Sequence, residues 1–433
     1  MSEVRIDSQE QSNLQSEMKE YYLTQFRGPE WLSATYLENI LQKFLKNSKL
    51  KVKNIVVKPF GSVGDAYASS MYSIDALIKT DEETLRKGHY ILKMMPLSEL
   101  ACEKLGKDCY NVQEKEMDIF QNIFPEFKTV LRTIEEDKNI FPKAIAVDRI
   151  RDALILENLS VKGFIMADRT FGLDMKHLKL ALEKLARFHA ASVCCMEKNP
   201  QIFKKYDVGM FSRKTSAFHD FFSSNMEVLI EEVSTWEGYE MYSEKLKKLR
   251  NFMYEKAFRC SDNDPGDLKV LVHSDLWSNN LMFKYDKHKS PIDAIILDFQ
   301  FCSVGHPAID LMYFFYSSAC DEIRLTKIFY LCQFYYYELK KILVKLNCDL
   351  SAFPSLHDFQ VQVMKKYFYA FPTTMIIMPL MKSEEPDACF ENAHQRTEKA
   401  IEFKRRLYKN PKVQNIIKNT LPVFDQFGLL DEM

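Results

Sequence analysis

The stretch VLVHSDLWSNNLMF, Val270–Phe283, places a polar loop between two apolar runs. A turn at 285–291 follows, and a third apolar run, Ala294–Leu297, ends on Asp298. If the second and third runs pair as a hairpin, the end of the third run lies beside the end of the polar loop. The pattern therefore predicts that Asp298 faces Asn280 across a short gap.

The side chains of this segment suit the transfer of a phosphoryl group to a hydroxyl. That reaction needs metal ions on the phosphates and a carboxylate oriented at the attacking hydroxyl. Magnesium prefers oxygen ligands and keeps several waters, so Asn280 and Asp298 suffice as protein ligands. Asp275 is then left to accept the proton of the nucleophile. The alternative is a loop whose Asp and Asn only cap turns, but the flanking apolar runs and Asp298 argue against it.

The spacing H-x-D-x-x-x-x-N, followed by a later Asp, resembles the catalytic loop and metal-binding Asp of eukaryotic-like kinases. The resemblance implies that Asp275 is the catalytic base, that Asn280 and Asp298 hold Mg²⁺, and that His273 supports the loop.

Two departures from protein kinases bear on the substrate. Ser274 replaces the Arg that would meet an activation-loop phosphate, and Asp298-Phe299-Gln300 replaces Asp-Phe-Gly. Only a short stretch separates Asp298 from Asp310, which leaves no room for the long activation loop on which a protein substrate docks. The acceptor is therefore expected to be a small molecule.

The N-terminal part carries apolar runs at 52–60, 67–78 and 89–95, which predict an antiparallel strand meander. Gly61 and Gly64 lie between the first two runs. Their backbone could close over the phosphates of a nucleotide, although a plain hairpin turn explains the glycines at least as well.

Lys93 lies inside the apolar run Tyr90–Met95. Such a Lys usually faces solvent, but this one matches the kinase Lys that holds the α- and β-phosphates. Its acidic partner would lie on the predicted helix 109–124, where Glu116 is the first choice and Glu114 the second. A solvated helix face is the simpler account of both carboxylates.

The character of the sequence changes near residue 158. Two further apolar runs, 144–148 and 153–157, could complete the sheet, and long helical patterns follow, with Met175–Cys195 the clearest. The expected class is α+β, with a small antiparallel-sheet lobe at 1–158, including an N-terminal helical extension, and a larger, mainly helical lobe at 159–433. At this boundary the backbone of Glu157 and Leu159 could bind adenine.

Several stretches together resemble the ecdysteroid kinase-like family, a branch of the aminoglycoside/choline phosphotransferase group in the protein kinase-like superfamily. They are the Lys93 strand ending in Pro96, LENL (156–159), LARFHA (185–190), VHSDLWSNN (272–280), LDFQ (297–300) and FDQFGLL (424–430). The resemblance implies a bilobal kinase-like fold, the use of ATP and Mg²⁺, and phosphorylation of a hydroxyl on an ecdysteroid or another secondary metabolite.

Composition argues against other classes of protein. The net charge of −1 gives no basic footprint for nucleic acid, and no Walker A sequence marks a P-loop enzyme. The polar start and the lack of a long apolar stretch predict neither a signal peptide nor a membrane span. Ten scattered cysteines without metal-ligand spacing suggest a cytoplasmic protein with reduced thiols. The sequence leaves the oligomeric state open.

Aromatic and Met residues concentrate in the C-terminal part, at 328–337, at 367–371, and at Met375, Met378 and Met381. Helix packing explains most of them, and the remainder suggests an apolar substrate pocket. The rival to an active kinase is a catalytically silent protein that binds an apolar ligand or a nucleotide. The complete set of kinase-type residues, Lys93 together with the loop residues and Asp298, favours the enzyme, and a protein kinase comes third.

Overall fold

The computed structural model describes residues 28–60, 69–80, 84–94, 98–106, 109–135 and 139–432. The chain divides into two compact units. The first comprises Met1–Leu97 and Pro142–Phe164, and the second comprises Ser98–Phe141 and Ile165–Met433. The predicted functional division at residue 158 stays a prediction, because these units are defined by packing alone.

In its described residues, the first unit contains a five-stranded antiparallel sheet and an α-helix. Its strands are β1 (Lys51–Pro59), β2 (Ser70–Lys79), β3 (Leu85–Met94), β4 (Ala144–Asp148) and β5 (Ala153–Glu157), in the order β1-β2-β3-β5-β4. Helix α1 (Ala34–Leu45) begins at Ser33, whose side chain accepts the N–H of Tyr36. Leu37 and Leu41 of this helix join the apolar face of the sheet in one core. The predicted meander is confirmed.

The second unit is mainly helical. In chain order its helices are α2 (Glu99–Leu105), α3 (Val112–Asp118), α4 (Phe124–Arg132), α5 (Met175–Lys198), α6 (His219–Val233), α7 (Glu240–Leu249), α8 (Met253–Ser261), α9 (Ala308–Ser318), α10 (Asp321–Thr326), α11 (Ile328–Lys345), α12 (Leu356–Lys365), α13 (Ala370–Pro372), α14 (Met378–Met381), α15 (Phe390–His394), α16 (Glu398–Lys409) and α17 (Pro411–Gln426). The α+β class, with an antiparallel sheet in the N-terminal part and helices in the C-terminal part, is confirmed.

Short strands position the loop that the sequence singled out. The short strand β6 (Phe164–Met166) begins at the last residue of the first unit, and β7 (Val270–Val272) leads into the loop. Strands β8 (Leu281–Tyr285) and β9 (Pro291–Ile296) form the predicted hairpin, with Leu281 opposite Ile296. Strand β10 (Ser303–Gly305) pairs antiparallel with β7.

One helix prediction needs correction. The predicted helix 109–124 begins at Val112 and does not end before Pro125, because a π-helical turn at Ile119–Ile123 leads into α4. Pro125 lies in the first turn of α4, where its missing N–H costs little. The segment 212–258 contains α6, α7 and most of α8 with breaks between them. In the part of the chain that the structure describes, no helix is long and apolar enough to cross a membrane.

Candidate active site

The carboxylate of Asp310 binds the backbone of the loop His273–Asn280. Asp310, in the first turn of α9, is fully buried and accepts the backbone N–H groups of His273 and Ser274, each at 2.7 Å. Ser274 adopts a left-handed backbone conformation with φ of 67°. This conformation is unfavourable for a residue other than glycine. The two hydrogen bonds from Asp310 hold the loop in it.

Asp310 is itself part of a buried polar network. Nε2 of His189, on α5, lies 3.0 Å from the same carboxylate oxygen that His273 uses. The other ring nitrogen of His189 lies 2.6 Å from the hydroxyl of Tyr335, on α11. All three side chains are fully buried. The network therefore connects helices α5, α9 and α11 next to the loop. His189 acts as a packed core residue.

His273 connects the loop to the end of β9. Its Nε2 lies 2.8 Å from the carbonyl oxygen of Leu297, and its Nδ1 faces the backbone N–H of Asp275 at 3.3 Å. A carbonyl can only accept and an N–H can only donate, so these partners fit a neutral ring with its proton on Nε2. Burial, the largest cause, lowers the pKa of His273 despite the nearby carboxylates. His273 thus supports the loop structurally.

Both carboxylate oxygens of Asp275 have donors. Oδ1 accepts from the hydroxyl of Tyr313 at 2.5 Å, and Oδ2 accepts from Nδ2 of Asn280 at 3.1 Å. Nδ2 of Asn280 also donates to the backbone oxygen of Asp275 at 2.8 Å. The amide nitrogen of Asn280 is therefore turned toward Asp275, which directs its amide oxygen away from that residue.

Asp298 follows β9 in a left-handed conformation with φ of 62°. The N–H of Leu297 donates to the carbonyl of Asn280 at 2.9 Å, so the hairpin places Asp298 next to the end of the loop. Nε2 of Gln300 lies 3.4 Å from Oδ2 of Asp298. The backbone of the hairpin therefore places Asp298 near Asn280, as the sequence predicted.

The donor set fits Mg²⁺. Asn280 and Asp298 offer an amide oxygen and a carboxylate, the hard ligands that magnesium prefers. Within the described ranges, no group of three His, Cys, Asp or Glu side chains is placed to hold a metal ion. A metal bound here would therefore depend on few protein oxygens and on ligands from substrate phosphates and water, as is usual for magnesium.

Glu116, predicted as the partner of Lys93, belongs to the second unit. Its side chain is 1 % exposed, and Oε1 accepts the backbone N–H of Phe299 at 3.1 Å. Glu116 therefore fixes the chain directly after Asp298, a contact that the sequence did not reveal. Glu114, the second choice, is half-buried on the same helix, α3.

The other predicted nucleotide residues belong to the first unit. Lys93 is 3 % exposed on β3, where it lies between Met71 and Leu154 of the neighbouring strands. It is therefore not the solvent-facing Lys that a strand position usually implies. Gly61 and Gly64 lie outside the described residues.

Glu157 ends β5, and its neighbours fix the segment that follows. Its N–H donates to the carbonyl of Lys143, and its side chain accepts from Lys143 N–H at 2.8 Å and from Lys162 Nζ at 2.5 Å. The carbonyl of Leu159 accepts the N–H groups of Lys162 and Phe164. These bonds hold the backbone of 157–164 in one conformation.

A cleft of about 550 Å³ lies in the second unit and reaches the loop at Ser274, the residue before Asp275. Among its lining residues are the aromatic side chains of Phe203, Tyr206, Phe211, Phe258 and Tyr369. The hydroxyl oxygens of Ser274 and Ser303, both in the lining, lie 3.1 Å apart. The lining also carries charged side chains, among them Lys204, Asp207 and Arg213.

Most of the aromatic and Met residues that the sequence singled out form core rather than pocket. Tyr367, Phe371, Met375 and Met378 are all buried. Of the two C-terminal clusters, only Tyr369 lines the cleft. Sequence reasoning missed Tyr313 and the cleft residues before α6. Tyr313 carried a signal, because it lies three residues after Asp310 and so shares a helix face with it.

The chain is similar to a family model and to several solved structures. No curated protein is similar to the chain in sequence. Among solved structures, an ethanolamine kinase of Plasmodium vivax shows 14% identity over 99% of this chain and 97% of its own, with a TM-score of 0.43. APH(2")-IIa in a ternary complex with streptomycin and ATP shows 16% identity over 83% of this chain and 98% of its own, with a TM-score of 0.34. The model of the ecdysteroid kinase-like family matches residues 63–348, more than half of the chain. The chain belongs to the ecdysteroid kinase-like family.

Proposed function

We propose that this protein is a kinase that transfers the γ-phosphoryl group of ATP to a hydroxyl of a small, largely apolar molecule. The observation that carries the proposal is the group formed by Asp275, Asn280 and Asp298. The β8–β9 hairpin brings Asp298 next to the end of the loop that carries Asp275 and Asn280, and Asp310 binds the backbone of that loop. Family membership supports a kinase-like activity.

The chemistry follows from the roles of these side chains. The acceptor oxygen attacks the γ-phosphorus, the bond from that phosphorus to the β-bridging oxygen breaks, and ADP leaves. Asp275 orients the acceptor hydroxyl and takes its proton. Asn280, through its amide oxygen, and Asp298, through its carboxylate, hold Mg²⁺, which neutralises charge on the phosphates when bound.

For the nucleotide, we propose the residues that the kinase resemblance indicates. Lys93 would bind the α- and β-phosphates with Glu116 as its acidic partner, and the backbone of Glu157 and Leu159 would bind adenine. The turn with Gly61 and Gly64 would cover the phosphates. On this proposal residues 1–158 form the nucleotide-binding lobe, and 159–433 form the lobe for catalysis and the acceptor.

We further propose that the apolar part of the acceptor lies in the cleft beside Ser274. Its aromatic lining suits an ecdysteroid or another secondary metabolite with a hydroxyl. A polycationic aminoglycoside would need free carboxylates instead. The carboxylates that line the cleft, Asp207 and Asp262, are paired with Lys214 and Arg213. This pairing supports an apolar acceptor.

The proposal is tested by screening the purified chain for ADP release with ATP and Mg²⁺. The acceptor panel holds steroids, phenols, glycosides and amino alcohols, and Asp275→Asn is the control with strongly reduced activity. We expect turnover with an apolar hydroxyl compound. Turnover with aminoglycosides or choline alone would contradict the apolar acceptor. Nucleotide binding without any turnover would favour the silent binding protein.

The metal site has its own test. Asp298→Asn should weaken the binding of ATP in the presence of Mg²⁺, measured by calorimetry with and without the metal. The control is Asp286→Asn, at a half-exposed Asp in the hairpin turn. Unchanged magnesium dependence in Asp298→Asn would remove this residue from the proposed site.

A further inference from the structure

Two side chains of helix α9, one helical turn apart, contact the loop His273–Asn280. Asp310 binds the loop backbone, and Tyr313, three residues later, binds the carboxylate of Asp275. We infer that Tyr313 is a positioning residue, which holds the carboxylate of Asp275 in the orientation that receives the acceptor proton. This inference rests on the proposed kinase function and assigns a role to a residue that the kinase motifs do not contain.

The contact has the features of a strong and directed hydrogen bond. The hydroxyl oxygen of Tyr313 lies 2.5 Å from Oδ1 of Asp275, and the ring of Tyr313 is 1 % exposed. Burial, reinforced by the charge of Asp275, raises the pKa of Tyr313 well above its ordinary value. The phenol therefore stays protonated and donates. A hydrogen bond to an ionised acceptor is stronger than one between neutral groups.

Two donors from separate elements hold the two oxygens of one carboxylate. Tyr313 comes from α9, and Asn280 comes from the helical turn Ser278–Asn280 that precedes β8. A carboxylate with one donor still rotates about its Cβ–Cγ bond, whereas a donor on each oxygen fixes its plane. A carboxylate oxygen can accept more than one hydrogen bond, so a donor on each oxygen does not by itself exclude the acceptor hydroxyl.

The ring of Tyr313 also lies near a side chain that lines the cleft. Its centroid is 6.4 Å from that of Tyr369, which lines the cleft beside Phe211. The charge of Asp275 also contributes to raising the pKa of both Tyr313 and Tyr369, so both rings lie near its carboxylate.

The variant that tests this inference is Tyr313→Phe, which removes only the hydroxyl. The matched control is Tyr316→Phe. Tyr316 lies on the same helix, is equally buried, and exchanges a hydrogen bond with the hydroxyl of Tyr367 instead of Asp275. Loss of orientation should reduce kcat by about 10- to 100-fold, the range known for partners that orient metal ligands. The KM values for ATP and for the acceptor should change little.

The decisive readout is the combination of Tyr313→Phe with Asp275→Asn. If Tyr313 acts through the carboxylate, adding Tyr313→Phe to Asp275→Asn lowers kcat no further, because the effects of residues that act as a unit are not additive. If Tyr313 is only structural, its effect multiplies that of Asp275→Asn. That result overturns the inference.

Two further measurements keep the result unambiguous. Thermal unfolding of each variant reports stability, and Tyr313→Phe should unfold within a few degrees of Tyr316→Phe. Equal kcat losses in both Tyr variants would overturn the inference, since only one of them touches Asp275. ADP release with water as nucleophile is measured beside the acceptor reaction. A wild-type chain inactive in both assays would instead overturn the proposed function, and this inference with it.

Discussion

Two stretches of the second unit are largely buried but are held in different ways. The loop His273–Asn280 is polar, and its partners come from distant parts of the chain, such as Asp310, Tyr313 and Ser318, which accepts the N–H of Ser278. The stretch Tyr367–Met381 is mostly apolar and packs as core.

The apolar stretch combines a few distant hydrogen bonds, such as that from the hydroxyl of Tyr408 to the carbonyl of Met375, with local ones. The hydroxyls of Thr373 and Thr374 donate to carbonyls one turn back, at Tyr369 and Ala370. A few directed bonds thus decide the conformation of the loop, whereas many undirected contacts hold the core stretch. A single substitution should therefore change geometry in the loop and only stability in the core stretch.

The largest expected effect is at Asp275. Asp275→Asn preserves shape and removes the base, so kcat should fall by about 10²- to 10⁴-fold, the usual contribution of positioned proton transfer. ATP affinity should change little, because Asp275 is not a proposed metal ligand. Steady-state kinetics with the true acceptor and calorimetry with ATP measure both. A variant with near-normal kcat would show that Asp275 is not the base.

The next effect concerns what holds the loop. Asp310→Asn turns one acceptor oxygen into a donor facing a buried N–H, which should lower the free energy of unfolding by about 2–4 kcal/mol. Chemical denaturation measures this loss, and kcat should fall as well. Asp349→Asn is the control, since this exposed Asp also accepts a backbone N–H, from Ser351. Equal losses in both variants would contradict the special role of Asp310.

The apolar stretch should respond in the opposite way. Met378 is fully buried, so Met378→Ala should lower the free energy of unfolding by about 2–3 kcal/mol through lost burial and a cavity. The kcat of the folded variant should stay normal. Met241→Ala is the control, because Met241 is 55% exposed. A large kcat loss in Met378→Ala without a loss of stability would contradict the expected difference between the two stretches.

The smallest expected effect concerns the cleft. Ser261→Trp places a large side chain in the lining and should raise the KM for the acceptor by about 10-fold, or 1.4 kcal/mol. The KM for ATP should not change. The matched control is Ser216→Trp, at an exposed position outside the lining. An unchanged acceptor KM would place the acceptor outside the cleft.

Much of this architecture could be predicted from neighbours along the chain. Alternating and helical apolar patterns located the N-terminal strands and the hairpin after the loop, because burial imposes a period on each element. The H-x-D-x-x-x-x-N spacing and Asp298 indicated where phosphoryl chemistry could occur. Prediction failed at Pro125, where the rule that proline ends a helix did not allow for a π-helical turn leading into a new helix.

Only the tertiary structure revealed which side chains contact the proposed catalytic residues and their neighbours. Tyr313 reaches Asp275 across 38 positions of sequence, and Glu116 reaches Phe299 across 183. Such contacts leave no periodic trace in the chain, because they depend on how separate elements pack. The same holds for the cleft, whose lining comes from segments between Met196 and Tyr369. The sequence by itself indicated most of the elements and the proposed catalytic residues, and packing determined their orientation.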